Sequence, residues 1–325
     1  MAVRTSESQI DGFRTVSIEG HSIRLTVIPE IGGKIISFQN TAAGREYIWR
    51  DPSVKFTMPK YDGWFGDYNI NGWDEVFPSI TPVDYPEYPW RGVPIPDHGE
   101  LWCLPWRDEP IPNGIRLSVA GVRFPYVFTR DLVLSKPGTL TTNYRLENLS
   151  PFSMKYIWST HPFFTTTPTT RILMPDGVRV RVEMSKGNRL GVLLDEQAWP
   201  ITVDSEGRKF DESVMGPADL GYVDKLFTTK VPEGWGTLYD PETDDFLTFE
   251  FSPKDAPYLG LVANRGGHPF EGEPYYQLLL EPCNGCPDRL DIAIMREEYA
   301  TLPGDGVVEW TVDTTIGRGR PPRGF

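Results

Sequence analysis

Two ionisable side chains stand inside mostly apolar segments of this sequence. His161 lies in Trp158-Ser159-Thr160-His161-Pro162-Phe163-Phe164, and Glu281 ends the run Tyr275-Tyr276-Gln277-Leu278-Leu279-Leu280. Burial raises the free energy of a charged form unless hydrogen bonds or an opposite charge compensate, so such placements occur at structural ion pairs and at sites of proton transfer. At ordinary values a Glu (~4.3) is ionised at neutral pH and supplies a base, while a His (~6.5) is about one quarter protonated at pH 7 and needs a modest upward shift to serve as an acid.

A second concentration of chemistry-bearing residues falls in positions 51 to 113, the least regular part of the chain and rich in Pro, Gly, Trp, Tyr and Asp. Long irregular segments inside compact domains tend to carry function. Gly72-Trp73-Asp74-Glu75-Val76-Phe77-Pro78 and Pro96-Asp97-His98-Gly99-Glu100-Leu101-Trp102 both combine carboxylates with aromatic rings. Aromatic faces stack on pyranose C–H faces and carboxylates accept hydrogen bonds from vicinal hydroxyls, so the mixture suits a carbohydrate; aromatic core with carboxylate-capped turns fits it equally well. His98 between Asp97 and Glu100 has the donor chemistry of a zinc or manganese ligand, but no helical HExxH spacing, and a hydrogen bond to a substrate oxygen is the favoured reading; no metal is expected.

Other motifs narrow the field. Cys283-Asn284-Gly285-Cys286 is a lone CxxC with Cys103 as the third cysteine, which reads as two thiols in a tight turn rather than as a zinc or redox site. His21 belongs to a hairpin turn and His268 to a loop. No G-x-S-x-G elbow, P-loop or G-x-G-x-x-G fingerprint occurs, so serine-nucleophile, NTP and dinucleotide chemistry lack support.

The net charge of −13 over 325 residues disfavours a nucleic-acid partner and suits a protein that binds neutral or cationic small molecules. The basic stretch Arg318-Gly319-Arg320-Pro321-Pro322-Arg323 reads as a solvated end. The first residues lack the apolar core of a signal peptide and no run approaches the ~20 apolar residues of a membrane span, so the expected setting is the cytoplasm with no membrane partner. The odd cysteine count agrees with a reducing compartment. Oligomeric state leaves no readable trace.

Strands must position the candidate residues. Period-two alternation appears at Val16/Ile18, Ile23/Leu25/Val27 and Val178/Val180/Val182, with further strands at 115–119, 128–134, 140–146, 154–158, 246–251, 258–262, 275–280 and 307–312. The 31 Gly and 31 Pro supply turns for many short antiparallel strands. One late helix is expected over 289–299, after Asp288 and before Pro303-Gly304. Alternating βα units are absent, and nothing marks a domain boundary, so an all-β single domain over 1–325 is the expectation.

His161-Pro162-Phe163-Phe164 resembles the HPYF motif, and Leu280-Glu281-Pro282 with Pro287-Asp288-Arg289-Leu290-Asp291 resembles the LEP…PDxLD motif, of the aldose 1-epimerase (galactose mutarotase-like) superfamily. Gly32-Gly33-Lys34-Ile35, the two segments around Asp74 and His98, Phe124-Pro125-Tyr126 and Asp224-Lys225-Leu226-Phe227 match in order along most of the chain. The resemblance implies an antiparallel β-supersandwich with few short helices that interconverts the anomers of a neutral aldose without metal or organic cofactor. It implies His161 as general acid at the ring oxygen, Glu281 as general base at the anomeric hydroxyl, and His98 and Asp224 as sugar-binding residues; the aromatic and carboxylate segments add Trp73, Asp74, Glu75, Asp97 and Glu100 as expected substrate-binding residues. Asp97, Glu100 or Asp224 would then supply the upward shift of His161. Two features depart from the family pattern: no N-terminal sugar-binding arginine motif is found, and the first histidine sits in Asp97-His98-Gly99-Glu100. Glycoside cleavage or lyase chemistry, using Glu281 with Asp74, Glu75 or Glu100, and non-catalytic sugar binding are the alternatives on the same fold.

Overall fold

The computed structural model describes residues 3–68 and 71–324. Among these, the strands form one 12-stranded and one 8-stranded sheet with three two-stranded ribbons, and the single α-helix spans Leu290–Met295. The all-β antiparallel expectation therefore holds. No helix among the described residues is long and apolar enough to cross a membrane.

The middle of the large sheet runs in the order Lys34–Asn40, Trp73–Val76, Ser159–Pro162, Tyr276–Cys283, Tyr258–Arg265, Tyr222–Thr228, Arg179–Ser185. These neighbours are antiparallel throughout. Successive side chains of a strand point to opposite faces. Trp73 packs edge-on against Phe249 of the 8-stranded sheet, with ring centroids 5.7 Å apart, and Leu280 faces Gly236, where any added Cβ would sit 3.1 Å from its methyl. One face of each central strand thus closes the core between the sheets, which continues through Trp158, Trp310 and Tyr144, whose rings lie 4.8 to 5.0 Å apart. The other face, carrying Asp74, His161 and Glu281, turns away from the smaller sheet and is covered by the irregular segment that contains Phe65 and His98.

The expected strands are present with edges moved by a few residues. The run expected at 275–280 extends from Tyr276 to Cys283 and so includes Glu281. The helix expected over 289–299 is cut to Leu290–Met295 because Glu297 takes a φ of 59° and Glu298 is drawn aside by Arg181 at 2.7 Å, turning the chain into the strand Ala300–Leu302. Asp288, expected at the helix start, accepts instead from Lys225 Nζ at 2.7 Å. His21 and Ser22, with φ of 52° and 66°, form the two-residue hairpin turn between Gly20 and Ile23.

Candidate active site

Register brings the two opening residues together. Ser159 pairs with Cys283, and the bridge between Phe164 and Leu278 keeps the same count, so His161 falls directly opposite Glu281. His161 also pairs with Asp74, and Glu281 with Gly260. Ile35 opposite Trp73 places Lys34 beside Asp74. One row across five strands therefore reads Lys34, Asp74, His161, Glu281, Gly260. Directly opposed residues on adjacent strands have Cβ atoms about 4.5–5.5 Å apart, close enough for their heads to meet. His161 Nε2 lies 3.3 Å from Glu281 Oε1, with both side chains buried.

Gly260 makes this arrangement possible. A Cβ there would sit 2.6 Å from Glu281 Oε2 and 3.2 Å from both Glu281 Cβ and Phe227, so only the missing side chain leaves room for the carboxylate to lie flat over the neighbouring strand. His98 is set by a second glycine. His98 takes a φ of 56° and Gly99 one of 72°, and a Cβ on Gly99 would meet the Phe77 carbonyl at 1.9 Å. This tight left-handed pair turns the His98 ring over Phe65, stacked at 4.2 Å, and brings it edge-on to His161 at 5.1 Å. A non-glycine residue held at positive φ beside a cleft is strain of the kind that concentrates at functional sites.

Above the row lies a cleft of about 270 Å³, lined by Phe65, His98, His161, Lys225, Asn264 and Gln277 among other residues. Polar heads converge on an otherwise apolar wall, the composition of a small-molecule site. Lys225 Nζ is held by Asp288 at 2.7 Å. Burial opposes its charge, but Asp288, Glu281 and Glu183 together hold its pKa above the usual lysine range. Burial and the nearby Asp288 charge push Glu183 up to about 8.

The electrostatics of the pair reverse the sequence expectation. Burial, then the neighbouring His98, Lys225 and Lys34, push His161 well below its ordinary value. Burial pushes Glu281 up to about 7, with Lys225 pulling it down and Asp288 pushing it further up. Glu281 is therefore not simply ionised at neutral pH, and His161 is not helped toward protonation by acidic neighbours. The expected donors of that help are engaged elsewhere: Asp97 lies 3.0 Å from His98 Nδ1, Glu100 accepts from Tyr61, and Asp224 accepts from Ser185 and Arg189. Neither Glu281 oxygen receives an aligned hydrogen bond, and His161 Nδ1 has no protein partner.

The structure gathers some of the sequence-predicted residues and sets others apart. His161, His98 and Asp97 line the cleft, Glu281 lies at 3.3 Å from His161, and Asp74 stands next in the row, paired to Lys34 at 2.6 Å. Trp73 and Glu75, one residue either side of Asp74, point into the core. Glu75 accepts from Arg130 at 2.8 Å, Tyr144 at 3.0 Å and Trp158 at 2.8 Å. Glu100 is sealed by Tyr61 and the backbone N–H groups of Val122 and Arg123. Asp224 faces the opposite side of its strand from the cleft, in a buried cluster with Arg189, Arg265 and Glu212. These placements turn Trp73, Glu75, Glu100 and Asp224 away from the cleft, against the expectation that they contact substrate. The residue of that segment that enters the cleft is Lys225, with Val223 beside it. Arg91, Arg123 and Arg265 do not line the cleft. Among the described residues no three His, Cys, Asp or Glu side chains converge as a metal site. Cys103, Cys283 and Cys286 are buried free thiols.

Cleft residues that the sequence had not singled out are Phe65, Lys225, Asn264, Gln277, Asp288 and His268, the last expected only as part of a loop. Gln277 was legible as a polar residue two and four places from Leu279 and Glu281 on one strand face; Phe65, in an irregular segment, carries no such signal.

Structural comparison identifies the fold. The chain matches a galactose mutarotase-like protein from Lactobacillus casei with a TM-score of 0.67 and 17% identity, covering 93% of this chain and 100% of that one. A galactose mutarotase related enzyme from Lactobacillus acidophilus matches with a TM-score of 0.65 and 16% identity over 93% of this chain and 96% of that one. The Slr1438 protein from Synechocystis sp. PCC 6803 gives 0.66 and 16%, covering 97% and 96%. The chain has the galactose mutarotase-like β-sandwich fold. A family model described as a domain of unknown function, DUF5107, matches residues 3–84. No curated protein sequence matches.

Proposed function

We propose that the protein is an aldose 1-epimerase-like isomerase that interconverts the anomers of a neutral sugar by acid–base ring opening in the cleft over His161 and Glu281. The observation that carries this reading is a buried His–Glu pair at 3.3 Å whose carboxylate oxygens lack aligned donors, with His161 lining a small, mostly apolar cleft. The mutarotase-related names of the structural neighbours lend support.

The chemistry follows from one proton held between two groups. With burial disfavouring both charges, the resting one-proton pair is a neutral carboxylic acid beside a neutral imidazole. A sugar hydroxyl donating to Glu281 supplies the hydrogen bonds its carboxylate lacks, each worth about 1.5–3 kcal/mol to a charged acceptor. That stabilises the carboxylate, and the proton passes to His161. Glu281 then takes the O1 proton while the His161 imidazolium gives its proton to the ring oxygen; C1=O1 forms as the C1–O5 bond breaks. Rotation about C1–C2 presents the other carbonyl face, and the two transfers run backwards to close the ring. Each group contributes acceleration on the order of 10²–10⁴-fold. His98, Asp97, Lys225, Asn264 and Gln277 hold the ring hydroxyls, and the whole chain acts as one sugar-binding unit.

The test is anomeric exchange of freshly dissolved α-anomers of a neutral monosaccharide panel, followed by polarimetry or NMR. Acceleration that collapses in His161→Ala and Glu281→Gln is expected; rates unchanged by both substitutions sink the reading.

A further inference from the structure

Beside the His161–Glu281 cleft lies a larger hollow of about 750 Å³ whose lining includes Asp62, Trp64, Val83, Asp84, Arg289 and Asp291. Its volume is within the range of small-molecule sites, and it is more open to solvent than the cleft. Trp64 and Asp97 line both spaces. Asp288 of the cleft is bonded in sequence to Arg289 of the hollow. The two spaces therefore share a wall at Trp64 and Asp97.

Trp64 is 60% exposed, although its large apolar ring gains more from burial than nearly any other side chain. An indole left open on the rim of a sugar cleft offers a flat surface for a pyranose C–H face. The charges of the hollow point the same way. Four carboxylates, Asp62, Asp84, Asp97 and Asp291, line it against the one guanidinium of Arg289. Arg289 already serves Asp291 at 2.6 Å, and Asp62 is held by Arg123 at 2.6 Å. Phosphate or carboxylate groups would meet net negative charge there, whereas neutral hydroxyls find acceptors.

We propose that this hollow is a second sugar subsite, and that the substrate is a neutral reducing oligosaccharide: its reducing-end ring enters the cleft and the next sugar crosses Trp64 into the hollow. The placement of the reducing end rests on the ring-opening reading above; the subsite itself rests on the shared wall, the open indole and the charge.

Calorimetric titration of the full chain with glucose, galactose, maltose, cellobiose and lactose tests it. At least one disaccharide is expected to bind about tenfold or more tighter than its reducing-end monosaccharide. Asp84→Trp, which fills the hollow from an exposed position, is expected to abolish that gain and leave monosaccharide affinity within about twofold; Asp84→Arg, which also fills it, gives the same direction should the first variant fold poorly. Equal affinity across each pair, or equal loss of both sugars in the variants, overturns the subsite. Anomeric exchange measured on the same sugars separates the two readings. Monosaccharide acceleration without disaccharide preference removes the subsite alone, disaccharide preference without acceleration removes ring opening alone, and no sugar binding at all removes both.

Discussion

Two glutamates of one sheet, Glu75 and Glu281, are each fully buried, and their surroundings differ in kind. Glu75 points between the sheets, where Oε1 accepts from Arg130 and Tyr144 and Oε2 from Trp158. Glu281 points the other way, onto the cleft face, with neither oxygen in an aligned hydrogen bond. A saturated carboxylate cross-links a core; an unsatisfied one holds unfavourable energy that only a proton or an incoming donor relieves. The contrast, rather than burial itself, separates structure from chemistry here.

The largest effects should fall on opposite readouts. Glu281→Gln is expected to lower the anomeric exchange rate by about 10²–10⁴-fold and to raise stability at pH 8. A carboxyl raised from 4.5 to about 7 in the folded state loses stability as pH climbs between those values, by roughly 3 kcal/mol in full, and the amide escapes that loss. Glu75→Gln should do the reverse. It leaves Arg130 buried without its counter-charge, at a cost of about 3–5 kcal/mol, while the rate per folded molecule changes little. Denaturant unfolding paired with NMR exchange measures both. Parallel losses of stability and rate in the two variants would remove the distinction.

The pH profile comes next. Only the one-proton pair holds an acid and a base together, and the step near 7 belongs to the pair as a unit. As pH rises through about 7, Glu281 loses the shared proton, so enzymatic kcat/KM should fall with unit slope. As pH drops well below 6.5, His161 gains a second proton and the rate should fall again. A rate that climbs through pH 7, after subtraction of the uncatalysed reaction, contradicts the neutral-pair assignment. Gly260→Ala should weaken the reaction by about 10- to 100-fold, because its methyl would press Glu281 Oε2 from 2.6 Å and displacements near 1 Å carry costs of that size. Kinetics of the folded variant would check it, with Gly260→Ser expected to be no better.

The strands and the two central residues were legible because both signals are local. Period-two alternation requires no knowledge of partners, and an ionisable residue ending the run Leu278-Leu279-Leu280 is conspicuous wherever the run pairs. What stayed hidden was which face of a central strand becomes the cleft. Both faces of these strands are covered, one by the second sheet and one by the irregular segment, so Asp74 and Glu75 look alike in sequence, as do Asp224 and Lys225. Parity against His161 separates them, and parity across strands exists only once the register is known. Phe65 and Trp64 were hidden for another reason: their positions depend on long-range closure of residues 51–68 over the sheet, and no periodicity records that.

The smallest expected effect probes that parity. Asp224 and Lys225 are adjacent, yet Asp224 sits with Arg189, Ser185 and Glu212 behind the strand while Lys225 stands in the cleft beside Asp288. Asp224→Asn keeps the hydrogen bond from Ser185 and leaves Arg189 its contact with Glu212 at 2.5 Å, so a stability loss of about 1–3 kcal/mol is expected with KM for the sugar changed less than about threefold. Lys225→Met removes a charge that holds Glu281 down and repels a proton from His161, so the alkaline limb should move to higher pH, a signature that loss of packing alone does not give. A rise in KM for Asp224→Asn with an unmoved limb for Lys225→Met would mean that the strand presents its other face to the sugar.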